Sequence, residues 1–452
     1  MLDFLEQDLL KKKFHPVHLI VLSFTIIILL GSLLLYQPIS IEGDQRISYI
    51  DALFTATSAT DVTGLVVLDL NQTFTWFGKL VILLLIQIGG LGYMAIATFI
   101  FLIIGRRISL KHRLFLGESL NRPSLEQIVV FAKYIFGYVF IFEFIGAILL
   151  YFRLSIVMDP INAIKHSVFL SISAFNNAGL DLLGNFKSLT IFAKDPFVLI
   201  IISLLIICGG IGFIVLGETY DKLKGEKKKY SLHSKIVILT TLFLILFGTI
   251  TIFATEYSNN NSIGTLTLSE KILHSYFQSV TARTAGFNSV NIGEMTKIGL
   301  LFIMILMFIG ASPGGTGGGV KTTTFSILLA GVTSAIIEKD HTEIMGRRIP
   351  WQTISKSIAI FFLSLALIFF ISIQISAIEP FSLLAITFEV VSAFGTVGLS
   401  TGITPLFTDL TKMLLIITMF IGRIGPLTIA MFFVRKKVTS KVILPEEDIS
   451  VG

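Results

Sequence analysis

The chain has 452 residues, of which 54% are hydrophobic and 14% are charged, and its mean hydropathy is +0.86. This composition excludes an ordinary soluble domain. The net charge of +6 would suit a nucleic-acid partner in a soluble protein, but the basic residues here follow a topological pattern, so we expect no nucleic-acid partner.

Apolar runs long enough to cross a bilayer as helices recur along the chain. We predict an all-α membrane protein with eight transmembrane helices, arranged in four span–pore loop–span repeats around one pore. The predicted spans cover residues 17–36, 75–104, 130–152, 196–217, 234–254, 297–335, 353–377 and 410–434. Between the two spans of each repeat lies a run too short to span, which we predict to be re-entrant: 48–60, 162–176, 270–282 and 381–394.

The predicted repeats occupy residues 1–105, 106–221, 222–345 and 346–452, the last with a cytoplasmic tail. Of the 35 Lys and Arg residues, 22 fall at the N-terminus, in 105–128, 217–235 and 336–356, and after Val434. By the positive-inside rule these segments are cytoplasmic. We therefore predict a multi-pass protein of the cell membrane, embedded in the lipid bilayer, with both termini in the cytoplasm.

Each re-entrant run leads into a short loop with a glycine, and the four glycines are 115, 107 and 112 residues apart. A phenylalanine precedes each glycine by nine or ten residues. A cation selectivity filter needs consecutive backbone carbonyls that point into a pore, and glycine permits the backbone angles this requires. The predicted filter residues are Val62, Thr63, Gly64, Asn177, Ala178, Gly179, Thr284, Ala285, Gly286, Thr396, Val397 and Gly398. The alternative is that the glycines only let membrane helices pack closely.

The stretch Gly310 to Gly319 is so rich in glycine that no stable helix can pass through it. We predict a mobile intramembrane loop that obstructs the inner pore; the alternative is a fixed kink. Arg423 lies near the middle of the last span, where an unpaired charge is costly. We expect it to form an electrostatic barrier and to anchor the loop, with a simple interhelical ion pair as the alternative. The predicted gate residues are Gly310, Ser312, Gly314, Gly315, Gly317, Gly318, Gly319, Lys321 and Arg423.

We predict no catalytic residue in this chain. Val320 directly precedes Lys321, where a phosphate-binding loop needs glycine, so we reject a nucleotide site there. Glu143 and Glu389 are the carboxylates expected at membrane depth, but their separation in the repeat plan argues against a paired acid–base site.

The four filter glycines, the glycine-rich break in the third repeat and the Gly-Arg-x-Gly-Pro stretch of the last span resemble the Trk/Ktr/HKT superfamily of potassium transporters. The chain is most similar to the ion-translocating membrane subunit of the Ktr branch. This resemblance implies potassium held at the filter carbonyls and taken up along the membrane potential, with sodium as a possible activator. It also implies a homodimer on a cytosolic regulatory ring that binds ATP or ADP, and the candidate contacts are 106–122 and 222–235.

Two other functions stay open from the sequence. A secondary ion transporter with discontinuous helices also places irregular backbone within the membrane. A membrane-embedded enzyme would need clustered carboxylates, histidines or a nucleophile at one cavity, and we find no such cluster in the sequence.

Overall fold

The computed structural model describes residues 16–43, 45–92, 128–225 and 229–433, and this part of the chain is mostly helical. The helices are α1 (Pro16–Tyr36), α2 (Tyr49–Thr60), α3 (Leu70–Thr73), α4 (Trp76–Leu91), α5 (Ile128–Leu154), α6 (Pro160–Phe175), α7 (Pro196–Gly210), α8 (Phe213–Leu223), α9 (Leu232–Glu256), α10 (Leu268–Thr281), α11 (Lys297–Phe308), α12 (Thr322–Ile336), α13 (Trp351–Ile378), α14 (Leu383–Gly395), α15 (Asp409–Ile424) and α16 (Pro426–Phe433). A two-stranded antiparallel hairpin, β1 (Glu343–Ile344) and β2 (Arg347–Arg348), joins α12 to α13.

Several predicted features lie outside the described residues. They are the basic N-terminal tail, the loop proposed to contact a partner at 106–122, the first repeat boundary at 105 and the tail after residue 433. The second candidate contact loop, 222–235, is described except at 226–228. The repeat boundaries as a whole stay a prediction.

Within the described ranges, three helices are long and apolar enough to cross a membrane by themselves: segments of α5, α9 and α13. Two bent pairs qualify when each is taken as one span: α7 with α8, bent by 100°, and α15 with α16, bent by 97°. The apolar faces of the long helices point outward, as Phe144, Phe362 and Phe369 show with about two thirds of each side chain exposed. A bilayer would cover such a surface. The structure thus confirms a helical membrane protein with several apolar spans and bent helices, while the count of eight crossings stays a prediction.

The four predicted re-entrant runs form short helices, α2, α6, α10 and α14, close to the expected bounds. Each begins after a side chain that accepts a hydrogen bond from a backbone N–H of the first turn, which is the usual way to satisfy these N–H groups. The capping residues are Ser48, Asp159, Thr267 and Ser382. The C-terminal parts of these four short helices are packed in the interior of the protein. The phenylalanines Phe54, Phe277 and Phe388, which they carry, are fully buried.

Glycines in the second spans allow these short helices to sit directly against them. A Cβ on Gly89 would lie 1.8 Å from the carbonyl oxygen of Thr60, at the end of α2. The same close approach joins Gly209 to the Phe175 carbonyl and Gly422 to the Phe394 carbonyl. Glycines downstream of the first, second and fourth filter loops therefore let the ends of three short helices pack closely against the second spans.

Candidate functional site

The four predicted filter glycines meet in one closed ring. A Cβ on Gly64 would lie 3.3 Å from the Cα atoms of both Gly179 and Gly398. A Cβ on Gly286 would lie 3.2 Å from the same two Cα atoms. The sequence separations of more than 100 residues are thus bridged by the fold.

Each glycine in the ring faces the carbonyl oxygen that precedes the glycine of the next loop. A Cβ added to Gly64 would lie 2.6 Å from Ala178 O, and one added to Gly179 would lie 2.4 Å from Ala285 O. A Cβ added to Gly286 would lie 2.4 Å from Val397 O, and one added to Gly398 would lie 2.3 Å from Thr63 O. The pattern runs once around the ring through all four loops. Four backbone carbonyls and four glycines therefore meet in one ring, and backbone carbonyls are the type of ligand that potassium and sodium ions accept.

The loops share an unusual backbone that the sequence did not reveal. The filter glycines have φ between +64° and +92°. Two residues earlier, each loop also has a non-glycine residue in the left-handed region: Val62, Asn177, Thr284 and Thr396, with φ of 55°, 58°, 74° and 49°. Such conformations are uncommon for side-chain-bearing residues and for Val and Thr in particular. Four of them at equivalent positions indicate that the surrounding packing holds the loops in one shape.

A serine six residues before the glycine supports two of the loops. Ser58 Oγ accepts a hydrogen bond from Gly64 N, and Ser392 Oγ accepts one from Gly398 N, both at 3.1 Å. Ser173 occupies the equivalent position of the second loop and Val280 that of the third. This recurring serine is a sequence signal that could have strengthened the filter prediction.

A cavity of about 240 Å³ lies on one side of the ring and is lined by all four glycines. We call it the vestibule. Two carboxylates, Asp69 and Asp181, are among its lining residues. The pKa of Asp181 is raised to about 6, mainly by burial; the hydrogen bond from the Leu183 N–H opposes this shift and the nearby Asp69 carboxylate adds to it. Negative charge at this mouth would attract cations.

Behind the second loop, a buried polar network holds the residues next to the filter. Asn176 Nδ2 donates to Glu143 Oε1 at 2.8 Å and to Gln87 Oε1 at 3.2 Å, and Gln87 Nε2 donates to Glu143 Oε1 at 3.0 Å. The neighbouring Asn177 Nδ2 donates to Thr284 Oγ1 at 3.1 Å, which links the second loop to the third. The amide nitrogen of Asn177 is therefore bound to another filter loop.

The fourth loop is supported by Glu389, which is also fully buried. Its carboxylate accepts hydrogen bonds from the Thr401 N–H at 2.7 Å and from the Thr404 hydroxyl at 2.6 Å. Glu143 and Glu389 thus hold different loops in place. Among the described residues the two carboxylates share no hydrogen-bond partner.

The predicted gate loop lies on the side of the ring opposite the vestibule. It is docked on α7 and α8, because Ser312 N donates to Gly210 O at 3.0 Å and Phe213 N donates to Gly314 O at 2.9 Å. It also touches two filter loops. Gly318 N donates to Thr396 Oγ1 at 2.9 Å, and a Cβ on Gly317 would lie 1.9 Å from Thr284 Oγ1.

Two cationic side chains converge on this loop. Lys321 Nζ donates to the Gly317 carbonyl at 2.6 Å, which closes the loop on itself. The Arg423 guanidinium donates to the carbonyl oxygens of Thr316 and Gly89. Arg423 therefore connects the gate loop with α4, across the space below the ring. The remaining predicted gate residues, Gly310, Gly315 and Gly319, form the loop's backbone.

The chain is similar to known cation transport proteins over nearly its whole length. A family model described as "TrkH: Cation transport protein" matches residues 10–442. The chain is 41% identical to "Ktr system potassium uptake protein B" of Bacillus subtilis, with 97% of each chain covered. It is 37% identical to "Potassium/sodium uptake protein NtpJ" of Enterococcus hirae, with 98% of each chain covered. The crystal structure of the potassium transporter TrkH from Vibrio parahaemolyticus aligns with a TM-score of 0.74 at 17% identity, covering 94% of this chain and 86% of that one, and so shares its fold.

Proposed function

Because the chain belongs to the TrkH cation transport family, we propose that it is the ion-translocating membrane subunit of a potassium uptake system of the Ktr type. The family transports cations, so this protein is a transporter and not an enzyme. The observation that carries the proposal is the closed ring of Gly64, Gly179, Gly286 and Gly398 with its four facing carbonyls.

In the proposed mechanism, potassium enters from the vestibule and exchanges its water for the backbone carbonyls of the twelve predicted filter residues. The short helices α2, α6, α10 and α14 aim their C-terminal ends toward the ring, and the partial negative charge there favours a cation. The membrane potential drives the ion inward. The proposed topology is four repeats and eight crossings in the cell membrane, with the vestibule outside and both termini in the cytoplasm.

The gate of this mechanism is the loop 310–319 together with Lys321 and Arg423. Its contacts with Thr284 and Thr396 place it next to the filter backbone. While it is docked, its bulk and the Arg423 charge oppose cation passage. Movement of the loop toward the cytoplasm would clear the path, so we identify the described conformation with a closed state.

The proposal extends to regulation and assembly. We propose a homodimer with one pore per chain, resting on a cytosolic ring that binds ATP or ADP, and sodium as an activator. The likeness to the Ktr uptake protein supports a Ktr-type partner, and the likeness to NtpJ, a potassium/sodium uptake protein, keeps sodium in the scheme.

Uptake of radioactive rubidium into potassium-loaded liposomes tests the function. The purified chain should accumulate rubidium, potassium should compete with it, and sodium should compete weakly. Gly398→Ala should lower uptake at least tenfold, because its Cβ would lie 2.3 Å from Thr63 O. Gly137→Ala is the matched control, since among the described residues nothing outside the backbone of its own helix lies within 4 Å of its Cβ. A rate independent of membrane potential would instead favour a secondary transporter with discontinuous helices.

A further inference from the structure

Helices α2 and α15 pack against each other and are joined by an ion pair at one end. Lys412 Nζ lies 2.6 Å from Asp51 Oδ1, and both residues belong to the first turns of their helices. At the other end Arg423 of α15 donates to the carbonyl of Gly89, which itself lies against Thr60, the last residue of α2. The two helices therefore run side by side in the same direction.

This alignment brings a second pair of opposite charges to the same depth. Asp61 follows Asp51 by ten residues, and Arg423 follows Lys412 by eleven. At about 1.5 Å per helical residue, these steps are about 15 Å and about 16.5 Å. Arg423 contacts Gly89, and Gly89 lies against Thr60, the residue before Asp61, so the two charges lie near each other. The first pair is formed in this structure and the second is not.

Both members of the second pair are in unusual positions. Asp61 is fully buried, and neither of its carboxyl oxygens has a hydrogen-bond partner among the described residues. The Arg423 guanidinium is bound to two neutral acceptors, the carbonyls of Thr316 and Gly89. An unpartnered carboxyl group buried in protein is costly, and pairing with a guanidinium would remove that cost.

We propose that Asp61 is a positioning residue that receives Arg423 when the gate loop withdraws. The inference rests on the proposed function. In the closed state the guanidinium holds Thr316 of the loop. When the loop leaves, the guanidinium exchanges the Thr316 carbonyl for the Asp61 carboxylate, and the positive charge moves from below the ring to its wall. Lys321, whose charge repels that of Arg423, favours this separation.

A double-mutant cycle on rubidium uptake tests the pairing. The full chain in liposomes is compared as wild type, Asp61→Asn, Arg423→Gln and the double variant. Asp61→Asn keeps the shape of the side chain and gives it the amide that Asn176 carries at the equivalent place of the second loop. We expect Asp61→Asn to lower the wild-type rate about tenfold, the effect of losing one charge-assisted hydrogen bond in the open state. When Asp61→Asn is added to the Arg423→Gln variant, it should change the uptake rate of that variant by less than about twofold.

Two further variants separate the pairing from a general structural role. Asp61→Glu retains the carboxylate and should keep most of the wild-type rate. Asp51→Asn breaks the pair at the other end of α2, and its effect should be the same with or without Arg423.

The outcomes are distinguishable. A wild-type chain without rubidium uptake would refute the proposed function and the inference with it. An active wild type in which Asp61→Asn has the same effect in both backgrounds would refute the inference alone, because Asp61 would then act on the ion or the fold without Arg423. The inference also fails if Asp61→Asn leaves the wild-type rate unchanged.

Discussion

Gly89 of α4 lies so close to the carbonyl oxygen of Thr60 that a Cβ on the glycine would be 1.8 Å from that oxygen. This contact fixes the end of α2, and with it the first filter loop, against the second span. Equivalent contacts at Gly209 and Gly422 fix the second and fourth loops. Glycines that lie outside the filter therefore hold three of its four loops against the second spans.

We expect Gly89→Ala to destabilise the protein, because α4 would have to move away from Thr60. Overpacking of this kind costs about 1–3 kcal/mol. The measurement is thermal unfolding of the detergent-solubilised protein, followed by size-exclusion fluorescence. Gly137→Ala, which has open space around its Cβ within the described structure, should leave the unfolding temperature unchanged or slightly raised. Equal unfolding temperatures for the two variants would contradict the packing argument.

Thr396→Val should weaken the docking of the gate loop. The hydroxyl of Thr396 accepts the Gly318 N–H, and valine has a similar shape without the acceptor. Loss of this bond is worth about 1 kcal/mol, or roughly a fivefold shift toward the undocked loop. Rubidium uptake should rise severalfold. Thr418→Val removes a hydroxyl that donates to Leu414 O of its own helix, and it should leave uptake unchanged.

Glu143→Gln should loosen the second filter loop. Gln87 donates to both carboxylate oxygens of Glu143, and Asn176 donates to one of them. An amide at this position would present its NH₂ group to one of these donors, at a cost of about 1–3 kcal/mol. The ratio of rubidium to sodium uptake should fall. Glu256 lies away from the ring and accepts hydrogen bonds on both carboxylate oxygens, from Thr296 on one and from Asn259 on the other. Glu256→Gln turns an NH₂ group toward one of these donors, so it should lower stability without changing that ratio.

Uptake at low potassium should depend on pH through Asp181. Its pKa is raised to about 6, so the group is ionised above pH 6 and becomes neutral as the pH falls below 6. Loss of its charge in the vestibule should raise the KM for potassium a few-fold between about pH 7 and about pH 5. Asp181→Asn should show the high KM at both pH values. If Asp181→Asn retains the full pH dependence of the KM, the dependence arises from another group.

The sequence alone determined the class of this protein and predicted its plan. Composition and apolar runs placed it in a membrane, and the spacing of Gly64, Gly179, Gly286 and Gly398 predicted four related loops. These features depend on local properties: the length and polarity of each helix, and the need for glycine where φ is positive. The starts of the short helices are also a local property, because a capping residue precedes each one.

Only the tertiary structure decided what these residues contact. The left-handed backbone of Val62 and Thr396 has no local signature, because packing imposes it against the preference of the side chain. The network of Gln87, Glu143 and Asn176 joins three segments that are far apart in the chain. The same holds for Arg423. The sequence predicted that its buried charge needs a partner, and the fold determined that the carbonyl of Thr316 is one. Asp61 has no hydrogen-bond partner in the described part of the chain. Partners of this kind depend on how helices are placed in space, which no local sequence pattern specifies.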